Sequence, residues 1–274
     1  MKRLINRQPN RPIGLLLGAS PFVLVLVVYA IASAARLAEN PNDPILPALT
    51  TMAESFLRLA TEESRRTGEI LLWVDTFASL TRLGLGVAIS AAMGLVVGIF
   101  TGLIPYARRG FGPFVAVLSM IPPLAVLPIL FIAFGVGELA KVMLIVFGVA
   151  PFIMRDIQQR VEELPREQLI KAQTLGASTW QLILRVVLPQ VFPRLLDAVR
   201  LALGSAWLFL IASEAIAATE GLGYRIFLVR RYLDMEVILP YVAWITLLAF
   251  TLDMALRLLS RILFPWYAGK RAAR

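Results

Sequence analysis

Residues 162–189, EELPREQLIKAQTLGASTWQLILRVVLP, form a polar stretch whose turn chemistry predicts two short helices joined by a tight corner. Pro165 suits the first turn of a helix, because the backbone N–H that proline lacks has no partner there. Gly176 can adopt the left-handed conformation that ends a helix. Ser178 and Gln181 have the spacing of a capping box, in which each side chain bonds a free backbone N–H group. The sequence therefore predicts a stiff corner at the glycine.

Each of the two predicted helices carries an apolar stripe. We place the first helix over 167–175 and the second over 179–187, ending before Pro189. The stripes consist of Leu169, Ala172 and Leu175 on the first helix, and of Trp180, Ile183 and Val187 on the second. An amphipathic linker on a membrane surface is one alternative for this unit. A DNA-binding helix–turn–helix is another, but the second helix carries a single cation, Arg185, so we expect no nucleic acid partner.

Apolar segments long enough to cross a lipid bilayer lie on both sides of this stretch. A spanning helix needs about 20 mostly apolar residues. The predicted spans cover 13–35, 77–104, 111–134, 139–154, 195–218 and 237–263. The chain is 58% apolar, against about 45–50% for soluble domains, and its mean hydropathy is +0.76. We therefore expect an all-α polytopic membrane protein with about six transmembrane helices.

The distribution of lysine and arginine predicts the orientation, because cytoplasmic loops are enriched in both. Most of these cations flank the first span, the loop between spans two and three, the polar stretch and the end of the chain: Lys2, Arg3, Arg7, Arg11, Arg108, Arg109, Arg155, Arg160, Arg166, Lys171, Arg185, Lys270, Arg271 and Arg274. Two other segments depart from this pattern, with Arg58, Arg65 and Arg66 in one and Arg225, Arg230 and Arg231 in the other. We expect both termini in the cytoplasm, and we leave open whether the second arginine group steers an anion or docks a protein.

The spans divide the chain into consecutive units. These are a cytoplasmic tail (1–12), a first transmembrane helix (13–36), an external segment (37–75), a core with five transmembrane helices and a polar loop at 155–190 (76–265), and a second cytoplasmic tail (266–274). Basic residues, an apolar run and Ala32-Ser33-Ala34 also resemble a cleaved signal peptide. Cleavage there leaves five spans in the same orientation.

The composition excludes several kinds of chemistry. The chain has no cysteine and no histidine, which removes thiolate metal sites and imidazole catalysis. The Walker sequence GxxxxGK[ST], which binds ATP phosphates, does not occur. We therefore predict no catalytic residue, no metal site and no cofactor in this chain, and we attribute the net charge of +9 to its loops.

Small residues, prolines and an acid mark three of the predicted spans. Span two has glycines at Gly84, Gly86, Gly94, Gly98 and Gly102, and the last three share one helix face that permits close packing. Proline in span three predicts either a kink or a broken helix that lines a path. Our candidates for the path or its outer gate are Pro122, Pro123, Pro128, Ser205, Ser213 and Glu214.

Two predicted ion pairs concern the last spans. An acid within a membrane span is a functional candidate, but Glu214 lies near a span end and alternatively bonds Arg225 or a backbone donor. In span six, we expect Asp253 to pair with Arg257, four residues later on the same helix face.

The polar stretch resembles the cytoplasmic loop of ABC importer permeases, whose pattern is E-A-A, three residues, glycine, nine residues, then I-x-L-P. With Gly176 as the glycine, Leu188-Pro189 match the end of this pattern and Val186 takes the isoleucine place. Ile170, Lys171 and Ala172 stand at the E-A-A places, so the opening glutamate and the first alanine are missing. Two further segments, 127–153 and 207–227, are similar to the nitrate, sulfonate and taurine branch of these permeases.

The resemblance covers about 77–264 and implies partners as well as function. It implies a permease in the bacterial cytoplasmic (inner) membrane that works with two cytoplasmic ATPase subunits, a second permease copy and an external substrate-binding protein. The residues expected to dock the ATPase are Lys171, Gln173, Leu175, Gly176, Ala177 and Ser178. The implied substrate is a small polar solute such as nitrate, a sulfonate, taurine or bicarbonate.

Other functions stay open at this point. A permease for urea or a guanidine-type nitrogen compound is an alternative within the same family. A secondary, ion-coupled transporter is an alternative of another class, although it calls for internal repeats that the sequence does not show. An integral membrane enzyme is a third reading, disfavoured by the absence of histidine and cysteine.

Overall fold

The structure is a computed structural model that describes residues 10–41, 43–64 and 67–267. All regular secondary structure in these residues is helical, as the composition predicts. The helices are α1 (Arg11–Glu39), α2 (Leu49–Thr61), α3 (Leu71–Leu103), α4 (Pro105–Leu118), α5 (Pro123–Phe134), α6 (Glu138–Glu162), α7 (Arg166–Thr174), α8 (Thr179–Leu182), α9 (Leu188–Ala217), α10 (Leu222–Val229) and α11 (Met235–Leu263). The predicted cations Lys2, Arg3, Arg7, Arg65, Arg66, Lys270, Arg271 and Arg274 lie outside the described residues.

Four helical runs in the described residues are long and apolar enough to cross a membrane. They are α1 from Pro12, α3, the run from Thr179 to the end of α9, and α11. The bent pair of α4 and α5 counts as a fifth if both halves form one span. Helix α6, which contains the predicted fourth span, is not among them, and it is the helix most enclosed by the others. The fourth span, and with it a total of six, therefore stays a prediction.

The centre of the molecule is the packing of α3 against α6. Glycines on one face of α3 lie directly against branched side chains of α6: Gly86 against Ile145, Gly94 against Ile153, Gly98 against Ile157, and Gly102 against Val161. A β-carbon placed on any of these glycines would stand within 2.3–2.7 Å of its neighbour. The predicted close approach is thus used for packing within one chain, while Gly84 faces open space.

The predicted third span is broken. Helices α4 and α5 meet at an angle of 97°, with residues 119–122 in the turn between them. Pro122 caps the start of α5, and Pro123 occupies its first turn, where the missing N–H leaves no hydrogen bond unmade. The prolines therefore produce a break rather than a gentle kink, and Pro128 lies inside α5.

The helix after the glycine corner does not end at Pro189, which corrects the sequence-based boundary. A π-helical turn over 183–187 follows α8, and α9 then begins at Leu188. The N–H of Leu188 bonds the carbonyl of Ile183, five residues back. The helical hydrogen bonds therefore change from the i to i+4 pattern to the i to i+5 pattern just before Pro189, which has no N–H to donate. Pro189 lies in the first turn of α9, directly after this change of hydrogen-bond register. The polar loop predicted at 155–190 is therefore helical on both sides of its corner.

Helix α1 is held mainly through its C-terminal half. The Tyr29 hydroxyl donates to the carbonyl of Pro47 at 2.7 Å, and the Ser33 hydroxyl donates to Leu46 and Pro47. The Arg36 guanidinium pairs with Asp43. No residue in the most apolar window of α1 is buried, so this helix presents apolar side chains to its surroundings. It runs through Ala32-Ser33-Ala34 without a break.

An ion-pair group joins the N-terminal half of α9 to the C-terminal half of α11. The Arg200 guanidinium donates to Asp253 at 2.8 Å, and Arg257 donates to the same carboxylate at 3.1 Å. The predicted pairing of Asp253 with Arg257 is confirmed, and Arg200 adds a bond between helices that the sequence does not indicate.

Filling one glycine of the α3–α6 contact is expected to destabilise the protein. In Gly94→Val the new β-carbon would meet the side chain of Ile153 near its branch point, which cannot rotate away. We expect a loss of about 1–3 kcal/mol, the usual cost of overpacking a core. Gly84→Val is the matched control, because it adds the same side chain to the same helix in open space. Thermal unfolding of the two purified variants in detergent measures the difference, and equal midpoints would contradict the packing described.

Candidate functional site

The corner at Gly176 is closed by backbone and side-chain hydrogen bonds. Gly176 has φ of +81°, in the left-handed region. Its N–H bonds the carbonyl of Gln173 at 2.9 Å, and the N–H of Ala177 bonds that of Ala172 at 3.1 Å. These two bonds form the Schellman motif that ends a helix. The predicted glycine geometry is therefore confirmed.

The capping box predicted after the glycine is also present. The backbone N–H of Ser178 donates to the Gln181 side chain at 2.9 Å, and the N–H of Gln181 donates to the Ser178 hydroxyl at 3.3 Å. Free backbone groups at the end of α7 and at the start of α8 thus find hydrogen-bond partners within residues 172–181. The corner is a stiff projection rather than a loose loop.

One side of the corner packs on the core and the other is exposed. Leu169 and Ala172 contact the core from α7, and Ile183 and Val187 are buried after α8. The two remaining stripe residues differ from the prediction, since Leu175 is 80% exposed and Trp180 is 60% exposed. Among the predicted docking residues, Lys171, Gln173, Gly176 and Ser178 are exposed and Ala177 is half-buried.

A second polar site lies at the opposite end of α9 and centres on Arg82 of α3. The Arg82 side chain is 3% exposed. Its Nη1 donates to Glu214 of α9 at 2.7 Å and to the carbonyl of Glu220 at 2.9 Å. Its Nε and Nη2 atoms face Glu138, the first residue of α6. One guanidinium therefore joins three helices and the loop before α10.

Glu214 is fully enclosed in this site. Besides Arg82, its carboxylate accepts hydrogen bonds from the Ser79 hydroxyl at 2.8 and 3.0 Å and from the backbone N–H of Gly223 at 2.9 Å. A backbone donor was one of the predicted partners, but Arg225 was the wrong arginine. Gly221 has φ of +125°, and a β-carbon there would lie 2.6 Å from the Glu214 carboxyl. Glycine at this position lets the loop close over the acid.

Asp75 of α3 accepts the hydrogen bonds that hold α10 and α11. Its carboxylate receives the N–H of Gly221 at 2.9 Å, Arg225 Nε at 2.8 Å and the Tyr241 hydroxyl at 3.1 Å. Arg225 is therefore committed to a structural pair. Of the other two arginines in this segment, Arg230 lies over the ring of Phe227, and Arg231 is exposed.

Reasoning from sequence missed both Asp75 and Arg82. Asp75, Ser79 and Arg82 are spaced by four and three residues, so they share one face of α3. A charged residue such as Arg82 inside an apolar span was the available signal, because intramembrane charges are rare and paired. Their partners are 56 to 166 residues away along the chain, which no local pattern indicates.

The predicted path residues do not share one location. Pro123 lines a cavity of about 550 Å³ beside the α4–α5 break, together with Ser119, Gly148 and Arg155. Pro122, Pro128 and Ser205 are exposed on the surface of the single chain. Ser213 and Glu214 are fully buried, and Glu214 belongs to the polar site around Arg82. Within the described ranges, no group of three or more acidic side chains is placed to hold a metal ion.

Removing the Glu214 carboxylate is expected to destabilise the chain strongly. In Glu214→Ala, buried Arg82 loses one of its acceptors, and Ser79 and the N–H of Gly223 lose the carboxylate to which they donate; breaking a buried ion pair costs about 3–5 kcal/mol. Glu220→Ala is the control, because that carboxylate is half-exposed and 3.6 Å from Arg82, where a pair contributes about 0–1 kcal/mol. Unfolding midpoints followed by tryptophan fluorescence compare the two, and similar losses would refute a central role for Glu214.

The sequence matches one protein family over residues 71–269, from the start of α3 onward. The family is described as "Binding-protein-dependent transport system inner membrane component". The taurine transport system permease protein TauC of Escherichia coli is 37% identical over 196 residues, which cover 72% of this chain and 71% of that protein. The putative aliphatic sulfonates transport permease protein SsuC of Escherichia coli is 29% identical and covers 92% of this chain and 93% of its own length. A bicarbonate transport system permease protein, CmpB of Synechococcus elongatus, is 32% identical over 61% of this chain and 65% of its own length.

Solved structures share the fold at low sequence identity. An inward-facing MetNI methionine ABC transporter matches with a TM-score of 0.64 and 22% identity, covering 73% of this chain and 98% of the matched chain. A bacterial ABC transporter for the import of alginate matches with a TM-score of 0.63 and 12% identity, covering 92% and 96% of the two chains. The helical architecture, the glycine corner and the family match agree, and the chain belongs to the inner membrane components of binding-protein-dependent transport systems, the permease subunits of ABC importers.

Proposed function

We propose that the Gly176 corner is the surface through which this permease receives its ATPase subunits. The observation that carries the proposal is that large apolar side chains, those of Leu175 and Trp180, are exposed on a corner held rigid by a Schellman motif and a capping box. Exposed apolar groups on an otherwise polar projection are typical of a partner contact. A short helical projection of this kind fits a groove on another protein. Lys171, Gln173 and Ser178 supply exposed polar groups around it.

The helix that follows the corner supports a mechanical role. The helical run from Thr179 to Ala217 is 39 residues long and continuous through the π turn. A displacement of the corner by closing ATPases is thus carried directly into a membrane span. We propose that two ATPase subunits act in this way on two permease copies, with both termini and the corner in the cytoplasm of a bacterial cell.

The position of the proposed path favours a second copy of the chain. The cavity beside the α4–α5 break contains Pro123, whereas Pro122, Pro128 and Ser205 are exposed on the single chain. A path between these residues needs a second wall, which a second permease supplies. Buried Ser213 and Glu214 then fix the outer end of the bundle instead of touching the solute.

For the substrate we propose a small anionic or zwitterionic solute of the taurine, sulfonate, nitrate or bicarbonate kind. The named substrates of the relatives compared are taurine, aliphatic sulfonates and bicarbonate. No observation favours the ion-coupled alternative, and none favours urea or a guanidine compound.

Breaking the corner is expected to uncouple the ATPase while leaving the permease folded. In Gly176→Val a β-branched residue is forced to positive φ, a strain of about 1–3 kcal/mol. Gly68→Val is the matched control, because Gly68 also has positive φ, +69°, and open space around it, and it lies in a different loop. We expect the first variant to lose co-purification with the ATPase and substrate-stimulated ATP hydrolysis, and the second to retain both.

A second variant separates docking from folding. Leu175→Glu places a charge on a side chain that is 80% exposed, so it leaves packing within the permease unchanged. We expect it to weaken ATPase binding as well. Full coupling in both Gly176→Val and Leu175→Glu would defeat the docking proposal.

The substrate class is tested with the complete transporter in proteoliposomes. With its binding protein and ATP supplied, we expect uptake of radiolabelled taurine, an alkanesulfonate, nitrate or bicarbonate. Uptake should stop when ATP is replaced by a non-hydrolysable analogue. Transport of urea or guanidinium alone, or transport that follows a proton gradient without ATP, would contradict the proposal.

A further inference from the structure

A carboxylate of the chain itself occupies a pocket built of buried cations at the outer end of α3 and α6. The Glu138 carboxylate lies between Arg82 and Lys141: the Nε and Nη2 edge of Arg82 faces both of its oxygens, and Lys141 Nζ donates to Oε1 at 2.7 Å. Both cations are 3% exposed, whereas the Glu138 side chain is 63% exposed. The basic groups are thus fixed within the protein, and the acid that neutralises them reaches in from the surface.

The charges around Arg82 leave a place for one anion. Glu214 is fully buried and neutralises one of the two cations. Glu138 supplies the second negative charge, and Glu220 stands further off, at 3.6 Å from Nη2. If Glu138 turns outward, the enclosed side chains of Arg82, Lys141 and Glu214 together carry one net positive charge, which Glu220 offsets only from the surface, because its side chain is 49% exposed. An incoming monovalent anion restores neutrality, which buried cations require.

The geometry of the donors selects a particular type of anion. The Nε and Nη2 edge of a guanidinium donates two parallel hydrogen bonds, which match two oxygens of a carboxylate or another oxyanion. The Lys141 ammonium adds a third donor beside the same oxygens. Glu138 is also the first residue of α6, so the partial positive charge of the helix start acts on the same position. The pocket is therefore suited to a small oxyanion such as a sulfonate group or bicarbonate.

The surroundings allow Glu138 to leave without moving a helix. The turn before it, residues 135–137, is exposed. A β-carbon on Gly135 or Gly137 would meet nothing within 4 Å. Arg82 and Lys141, in contrast, are anchored in the tightly packed α3–α6 pair. Rotation of one exposed side chain is then the only step needed to open the pocket.

The geometry points to an anion-binding site formed by Arg82 and Lys141, in which Glu138 is an internal occupant that a small monovalent oxyanion displaces. The choice of ligand rests on the proposed transport of such solutes. The exchange gives the permease a first contact for an anionic solute at the end of the bundle away from the Gly176 corner. When no anionic solute is bound, the Glu138 carboxylate returns and neutralises the charge of Arg82 and Lys141.

The test is rescue of a Glu138 variant by a free anion. The full chain carrying Glu138→Ala is placed in phosphatidylcholine nanodiscs and titrated with sodium methanesulfonate and, separately, with sodium bicarbonate, while the unfolding midpoint is followed. We expect a lower midpoint without anion and a saturable return towards the wild-type value. We also expect a half-saturating concentration at least ten-fold below that for wild-type protein, whose own carboxylate competes. Glu138→Gln, which keeps the side-chain shape, is measured in the same way if the alanine variant does not fold.

Control variants identify the donors. Glu220→Ala removes an acid near Arg82 that does not lie between the cations, and its response should equal that of wild type. Glu138→Ala combined with Lys141→Met should lose the rescue. Sodium chloride at equal ionic strength should give a weaker response, because chloride has no paired oxygens for the guanidinium edge. Rescue that survives loss of Lys141, or that chloride reproduces, overturns the site.

The lipid composition of the nanodisc distinguishes a lipid headgroup from a free solute as the occupant of the site. If added phosphatidylglycerol raises the half-saturating methanesulfonate concentration in proportion to its fraction, a lipid phosphate is the occupant and the assignment to a solute fails. The outcome is independent of the transport assay. Rescue by the anion together with uptake of urea alone would support the anion site and contradict the proposed substrate. Uptake of sulfonate without rescue would contradict the anion site only.

Discussion

Arg82 is an arginine enclosed in a mostly apolar bundle, and the start of α6, the end of α9 and the loop before α10 are arranged to neutralise it. A guanidinium cannot shed its charge by deprotonation, so burial obliges the protein to supply carboxylates and carbonyls around it. Glu214 comes from α9, Glu138 from α6 and a carbonyl from the loop before α10. The positions of three elements are fixed by one side chain. Gly221, which closes the loop over Glu214, follows from the same requirement, because a β-carbon there would lie 2.6 Å from the carboxyl.

The two ends of α9 carry the two sites. Its helical run begins at the capping box beside the Gly176 corner and ends next to Glu214, a distance of about 58 Å for 39 residues at about 1.5 Å each. The end at the Gly176 corner exposes Leu175 and Trp180, which suits contact with a partner. The end at Glu214 is buried and charged, which suits a fixed anchor. If ATPase subunits push the corner as proposed, a rigid rod that is anchored at its other end changes its tilt.

Local chemistry could be predicted from the sequence, and contacts between distant segments could not. The Schellman motif and capping box need only residues 172–181, so the pattern of glycine, serine and glutamine was sufficient. The glycine face of α3 and the proline break of span three are likewise properties of one segment. The exposure of Leu175 and Trp180 depends on where the core ends, which periodicity alone does not reveal. The continuation of α9 through Pro189 depends on a π turn, a backbone register that side-chain propensity does not encode.

The π turn has a consequence for how this segment of the chain tolerates change. A turn with bonds from i to i+5 contains one more residue than a turn of α-helix, and each residue of an α-helix advances the chain by about 100° around the axis. The angular position of the Gly176 corner around the axis of α9 is therefore determined by the number of residues between the corner and α9. A point substitution in 183–187 leaves that direction alone. A single-residue insertion or deletion turns the whole corner by about 100° around the axis of α9.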